Sequence, residues 1–573
     1  LSRDEVAEQI AVLTGASEPA RVVDQLYARS GGNPFFVEQL VAARESTATD
    51  DVLPARLAEL LASRVQRCGR EAHAVAAALA VAARPLDEGL LGEVGDLDPD
   101  ATRRGLRELA EHRLLADSSA DLQQRLRHAL LGEAVTGQLL ATERVVLHER
   151  LARALQATGD QTMAAEAAGH WAAAGRPVEE LPAQIWAAEA AERVYGYAVA
   201  AAHWRRAIDL CETLPDEARE AGIDPAPLYL RAVHAFRAVG ALEQGQAVAE
   251  SALRRYAKHP DPQIAAAIHL RAAVYRALSD PASGLPLIEE ALRLYDQAPP
   301  SSEHAEAWLE YANYFVPEAS RRLAALDHAR VVAEAAHAEQ MVSQILCSLA
   351  YDNYIEGQIE LGSAALDTAR ALASAAEDGA ALVQVAVTES NVLLKMCRFS
   401  AAADVALRGF DTANQTGRQD SYTARLAAVN AAEAILGLGR RADAAAIIDP
   451  LTTGSPDRDH YVQYDYRIEL EMLRGDFEHA SEVRDQLVAI THQLGDLEDV
   501  REAVQRGAEL DLWAGRPGNA LFAVRSLLMR YEPRDPAILY GRVLTTGMRA
   551  CADLAEYARA QRDEPANQEA LDA

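Results

Sequence analysis

Several groups of residues in this chain have types and spacings that could do chemistry. The first is Ser30-Gly31-Gly32-Asn33-Pro34-Phe35-Phe36. Its glycines free the backbone, Asn33 can cap a helix, Pro34 suits a first helical turn, and Phe36, Leu40 and Ala43 return to one helical face. Such a turn offers backbone to a group seated against it; a plain loop-to-helix junction over buried phenylalanines is the alternative. The second is Arg127-His128, where an imidazole beside a guanidinium at the end of an extended piece suits the recognition of a phosphate charge, with a satisfied structural histidine as the alternative. The third is a set of tyrosines. Spacings of three put Tyr311 with Tyr314, and Tyr351 with Tyr354, on one helical face, where they either line a ligand groove or pack between helices with their hydroxyls reaching solvent.

Other motifs read negatively. His148-Glu149-Arg150-Leu151-Ala152 begins like the zinc-protease H-E-x-x-H, but alanine stands at the second ligand, so the segment reads as a solvated helix face. Gly437-Leu438-Gly439-Arg440-Arg441-Ala442 matches a dinucleotide fingerprint, yet it joins two helical patterns rather than a strand and a helix. No G-x-x-x-x-G-K-[ST] exists, since neither Lys258 nor Lys395 follows a glycine. The backbone nest and lysine that hold nucleotide phosphates are therefore missing, and no ATP hydrolysis is expected of these residues alone.

The elements that must position these groups are helical. Half the residues are hydrophobic but only 5% are aromatic, with alanine and leucine dominant, which is the composition of packed helices. At 573 residues the chain exceeds a single core. Its 86 acidic against 56 basic residues, a net charge of −30, would repel a phosphate backbone, so no direct nucleic-acid binding is expected. The five cysteines form no pairing pattern or C-x-x-C site, and the longest apolar run, Ala74 to Ala83, is too short to span a bilayer. A cytoplasmic chain with no membrane partner is the expectation.

From Gly196 onward a pattern returns: an apolar helix, a turn of the form Gly-x-x-x-x-small, and a second helix rich in alanine and leucine. The turns open at Gly240, Gly357, Cys397 (in the place of glycine), Gly439, Gly475 and Gly515, and close at Gly245, Gly362, Ala402, Ala444, Ala480 and Ala520. From 357 the gaps are 40, 42, 36 and 40 residues, and the 117 residues between 240 and 357 have room for three units with turns near Ser279 and Glu318. A period near 40 with two helices per unit is the signature of an α-solenoid of degenerate tetratricopeptide-like repeats. The small closing residue allows close helix crossing, and the leading glycine can take the left-handed conformation.

Residues 49 to about 160 read differently. A helix follows Leu53-Pro54, an alanine-rich one runs from Glu71 to Ala83, and a third lies around Thr102 to His112. Two short extended pieces, Leu114 to Ala116 and Leu122 to His128, flank the polar turn Asp117 to Asp121. That is the order of a winged helix. Helices Leu130 to Leu140 and Thr142 to Leu155 follow, with Thr142 as the cap of the second. The fold class is thus all-α: a tetratricopeptide-like solenoid preceded by a small winged-helix domain.

In their order, Ser30 to Ala43, Leu53-Pro54-Ala55-Arg56-Leu57, Leu126 to Val135 and Leu147 to Ala152 resemble the large ATP-binding regulators of the LuxR family, and more broadly signal-transducing ATPases. The resemblance implies a P-loop ATPase core, a helical lid, a winged helix, a repeat sensor and a C-terminal helix-turn-helix. It implies that Gly32, Asn33 and Pro34 match the G-x-P element whose proline packs beside the adenine, and that His128, next to Arg127, matches the histidine that approaches the nucleotide phosphate. On this basis residues 1–48 are a remnant of the ATPase lid, 49–160 the winged helix with its following helices, and 161–573 the sensor. ATP or ADP is the implied cofactor of the complete relative, with none held tightly by this chain. Because the segment from Cys551 to Asn567 reads as another repeat helix and tail, DNA binding is expected of the relative and not of these residues. The expected function is signal sensing, with an effector small molecule or protein on the solenoid and self-association open. The alternatives are a freestanding protein-binding scaffold and a module downstream of a nucleotide cyclase.

Overall fold

In the computed structural model the described residues are all but 15–17, 47–54, 117–122, 195, 240, 279, 317, 420, 455–460, 492–496, 531–536 and 573. The expected helix start at Leu53-Pro54, the polar turn Asp117 to Asp121, Leu122, Gly240 and Ser279 lie outside them. Regular structure among the described residues is helical, apart from two isolated antiparallel bridges, Leu86 with Gln124 and Leu115 with Leu126. No helix among them is long and apolar enough to cross a membrane. The chain divides into two compact units, Leu1–Leu228 and Tyr229–Ala573.

The first unit begins with α1 (Arg3–Thr14), α2 (Ala20–Ser30), α3 (Pro34–Ser46) and α4 (Ala55–Gln66), followed by α5 (Arg70–Ala82), α6 (Glu88–Gly95) and α7 (Pro99–Glu111). Helix α5 is alanine-rich and buried nearly all round, and it ends where Ala83 turns left-handed at φ 53°. Helix α7 lies close against it because Gly105 has no Cβ; one there would sit 2.8 Å from the backbone carbonyl of Glu71. Aspartates start both short helices: Asp87 accepts from the Leu90 amide at 2.9 Å, and Asp98 from Ala101 at 2.8 Å with Pro99 in the first turn. Leu86 and Gln124 exchange both backbone hydrogen bonds, at 2.9 and 2.7 Å, while Ala116 donates to Arg125 and Arg127 to Leu114. The order is therefore helix, extended, helix, helix, extended, extended. Helix α6 was not expected; eight residues carry too little periodicity to show.

Helices α8 (Ala129–Gln138), α9 (Ala141–Thr158), α10 (Ala164–Ala173), α11 (Pro177–Arg193), α12 (Tyr197–Thr213) and α13 (Pro215–Glu220) complete the unit. Thr142 does not cap α9 as expected. The helix starts one residue earlier, and the carboxylate of Glu143 reaches back to the Leu140 amide at 2.8 Å, serving the exposed donors in its place.

The second unit is an array of helical hairpins entered through α14 (Pro225–Ala238), which pairs with α15 (Leu242–Tyr256). Then come α16 (Pro262–Ala277) with α17 (Pro281–Tyr295), α18 (Ser302–Phe315) with α19 (Ala319–Ala335), and α20 (Glu339–Ile355) with α21 (Ile359–Ala375). Next are α22 (Gly379–Lys395) with α23 (Phe399–Gln415), α24 (Tyr422–Gly437) with α25 (Arg441–Leu451), α26 (Tyr461–Arg474) with α27 (Phe477–Thr491), and α28 (Leu497–Trp513) with α29 (Pro517–Arg530), closed by α30 (Ala537–Gln561) and α31 (Glu564–Asp572). The turns behave as their residue types require. Gly357, Gly439, Gly475 and Gly515 are left-handed, and Cys397, in the place of glycine, takes the same conformation at φ 56°. The closing residues are buried: Ala402, Ala444, Ala480 and Ala520 expose nothing, and a Cβ on Gly362 would lie 2.7 Å from the Tyr354 ring. The expected turn near Glu318 is present, with Glu318 preceding α19.

Candidate functional site

At the end of α2, Gly31 and Gly32 are left-handed at φ 58° and 72°, and the buried Ser30 hydroxyl accepts from the Gly32 amide at 3.2 Å. Asn33 then caps α3 as expected, its side chain accepting from Phe35 at 3.1 Å. Phe36 and Leu40 are buried, together with Val37 and Val41. His128 stands at the N-terminus of α8, nearly a hundred residues later, with its ring edge-on to Phe36 at 5.2 Å and 87°. A Cβ on Gly31 would be 3.8 Å from its Nδ1. The structure thus brings the glycine turn and His128 together.

They border a cavity of about 1360 Å³, whose lining includes Gly31, Arg84, Arg125, Arg127, His128 and Gly132; of the expected site residues Arg127 and His128 line it, while Gly32, Asn33 and Pro34 do not. Arg84, Arg125, Arg127 and Arg144 face Glu59 and Glu133 there, a cationic excess in an acidic chain. Arg84 and Glu133 are held by ion pairs. Arg84 holds Glu166 through both carboxylate oxygens at 2.6 and 2.7 Å, and Glu133 holds Arg29 at 2.7 Å. Burial, then Arg127 and Arg64, lower the His128 pKa, so the ring is neutral at neutral pH.

His148 is not on a solvated face. It is half-buried, with its Nδ1 2.9 Å from that of His170, while Glu149 is paired with Arg176. Burial foremost lowers the pKa of His148, and burial alone that of His203, whose Nδ1 meets Gln184 at 2.6 Å. In each case the folded pKa lies below the ordinary 6.5, so the unfolded chain takes up protons first. Stability of the first unit is therefore expected to be full above that value and to fall as the pH drops through it. Glu166 acts in a lower window. Burial opposes its charge, but His170 at 3.6 Å and the Arg84 hydrogen bonds hold its pKa below the ordinary 4.5, so its contribution is lost only in more acid solution. Urea midpoints followed from about pH 7.5 to about pH 5 should decline, and less steeply in His148→Gln; a flat wild-type profile contradicts the assignment.

In the second unit a cavity of about 430 Å³ is lined by α14, α16 and α18 on one side and by Tyr422 and Arg425 of α24 on the other. First helices of successive hairpins thus face the first helix of a hairpin well along the array. Arg271 binds Glu306 through both oxygens at 2.5 and 2.7 Å, and Arg237 binds Glu310 at 3.1 Å. Glu306 and Glu310, four apart on α18, share a face. Both guanidiniums have raised pKa values. Glu310 holds Arg237 charged against its burial; burial of Arg271 works against its charge, and Glu306 more than compensates.

The four tyrosines expected for a groove are elsewhere. Tyr311 packs edge-on to Trp308 at 5.7 Å and stacks on Phe315, Tyr314 lies against the core around Ile288, Tyr354 bonds Ser363 at 2.7 Å, and Tyr351 lies under Lys395. The lining residues that sequence reading missed had one visible signal: Arg271 stands in the run Ala265 to Ala273, which is otherwise apolar except for His269.

Fold and cavities together define a helical-repeat protein of the tetratricopeptide-like kind. No family model matches the chain, nor does any curated protein match it in sequence. Among solved structures it is similar to a signal transduction ATPase with numerous domains and a tetratricopeptide repeat sensor from Pyrococcus horikoshii, at 12% identity over 84% of this chain and 71% of that one, with a TM-score of 0.42. It is also similar to a Rap protein complexed with competence and sporulation factor (14% identity, 57% and 99% covered, TM-score 0.35) and to yeast Tom70 (11%, 75% and 96%, TM-score 0.36). Likenesses this distant transfer no residue roles.

Proposed function

We propose that the chain is a cytoplasmic binding scaffold rather than an enzyme, and that its second unit takes an effector, most simply a polypeptide segment, in the charged cavity between α18 and α24. The observation that supports this reading is the cavity that the paired Arg271–Glu306 and Arg237–Glu310 set lines together with Tyr422 and Arg425 of a later hairpin in a repeat array. Repeat arrays bind by presenting such inner faces, and committed ion pairs hold the lining in one geometry for a ligand with its own charges.

A second reading has its own support. The cationic cavity beside the glycine turn and His128, with the helix and bridge order from α5 to Arg127, favours a winged-helix module that clamps nucleotide beside an ATPase core, as in a LuxR-type regulator. ATP or ADP would then be retained only with that core.

One experiment separates them. Peptides selected from a random display library on the full chain should bind Arg425→Gln about tenfold more weakly, as loss of a charge-assisted contact predicts, and should bind His128→Ala unchanged. A fluorescent adenine nucleotide titrated in parallel should not bind this chain tightly. Peptide binding unaffected by Arg425→Gln rejects the cavity, and tight nucleotide binding abolished by His128→Ala favours the second reading.

A further inference from the structure

Outside both cavities, Cys68, Glu108 and His112 bring a thiol, a carboxylate and an imidazole together, each ligand atom within 4.8 Å of the others. We propose that this cluster binds one zinc-class divalent cation. The donor set selects the metal: thiolate and imidazole suit zinc, whereas magnesium and calcium take all-oxygen shells. Tetrahedral zinc sets neighbouring donors about 3.3–3.8 Å apart, so the present spacing needs a closure of at most about 1.5 Å. The side chains that must move are able to. Glu108, in the last turn of α7, and His112, which caps that helix four residues on, are half-exposed and exposed, whereas Cys68 is buried.

The surroundings already hold one of the donors. The Gly69 amide donates to Glu108 Oε1 at 2.7 Å, and a Cβ at Gly69 would come within 3.1 Å of Oε2, so the turn carrying Cys68 leaves room for that carboxylate. The turn is fixed by the Cys68 amide on Val65 O at 2.9 Å, and Arg64 reaches the His112 carbonyl at 3.2 Å, joining α4 to the end of α7. Binding would release the Cys68 thiol proton to solvent and leave a fourth position for water. The cation would staple the α4–α5 turn to α7.

The test uses the full chain, stripped with chelator and titrated with cobalt(II) as a spectroscopic probe. One equivalent should bind with a thiolate-to-cobalt charge-transfer band that zinc bleaches, and zinc should raise the melting temperature. Cys68→Ser should lose the band and the zinc-induced stabilisation. His112→Ala, on an exposed side chain, should keep its helical circular dichroism and weaken binding by about tenfold or more. A missing charge-transfer band in the wild type, or one that survives Cys68→Ser, overturns the proposal.

Discussion

Replacing Arg506 by alanine is expected to destabilise the second unit by about 3–5 kcal/mol, the range for breaking a buried ion pair by removing one partner. Arg506 is 2% exposed, is paired with Asp465 and with Glu469 at 3.2 Å, and lies over the Tyr466 ring at 4.0 Å. Asp465 is itself buried, so truncation strands a carboxylate without its counter-charge in the space between α26 and α28. The penalty belongs to the stranded charge more than to the lost bond. The double replacement Arg506→Met with Asp465→Leu should therefore be much milder than the single one. Denaturant unfolding of the three proteins checks this, and a single-variant loss below about 1 kcal/mol contradicts the burial of the pair.

Gly284→Val is expected to cost about 1–3 kcal/mol by overpacking. Gly284 lies on α17, where a Cβ would fall 2.6 Å from the Ala273 carbonyl of α16 and 2.9 Å from the Phe315 ring of α18. Backbone on one side and an aromatic ring on the other leave little freedom to relax. Because repeat arrays gain stability from each interface between neighbours, the strain should loosen the array locally and broaden its unfolding. Gly518→Ala on α29, with nothing within 4 Å, is the matching control and should be neutral. Equal melting curves for the two variants would show that the close approach at Gly284 is absent.

The architecture was legible wherever a local requirement left a residue type behind. Left-handed turn positions left glycines, and close helix crossings left glycine or alanine at the closing positions, so the hairpins from Gly357 onward could be placed from spacing alone. Cys397 shows the limit: its left-handed backbone was inferred only because its neighbours in the repeat carry glycine. Helix α6 and the true start of α9 were hidden, since a short helix and a one-residue shift of a cap leave almost no periodic trace. The adjacency of Gly31 and His128 left no pattern in the sequence, because tertiary proximity over such a separation has no local code. The tyrosines carried two readings for a physical reason. A helical spacing of three fixes a shared face but not what that face meets: Tyr311 packs on Trp308 and Phe315 of its own helix, and Tyr354 bonds Ser363 of the helix it pairs with.

The space shared by α18 and α24 has a mechanical consequence. In a stack whose members touch only their neighbours, bending is soft because small rotations accumulate from one pair to the next. A guest bound in the cavity that α18 and α24 both line would act as a strut, tying hairpins far apart in sequence and stiffening those between. Occupancy would then register as lost compliance along the array, without any helix changing its fold.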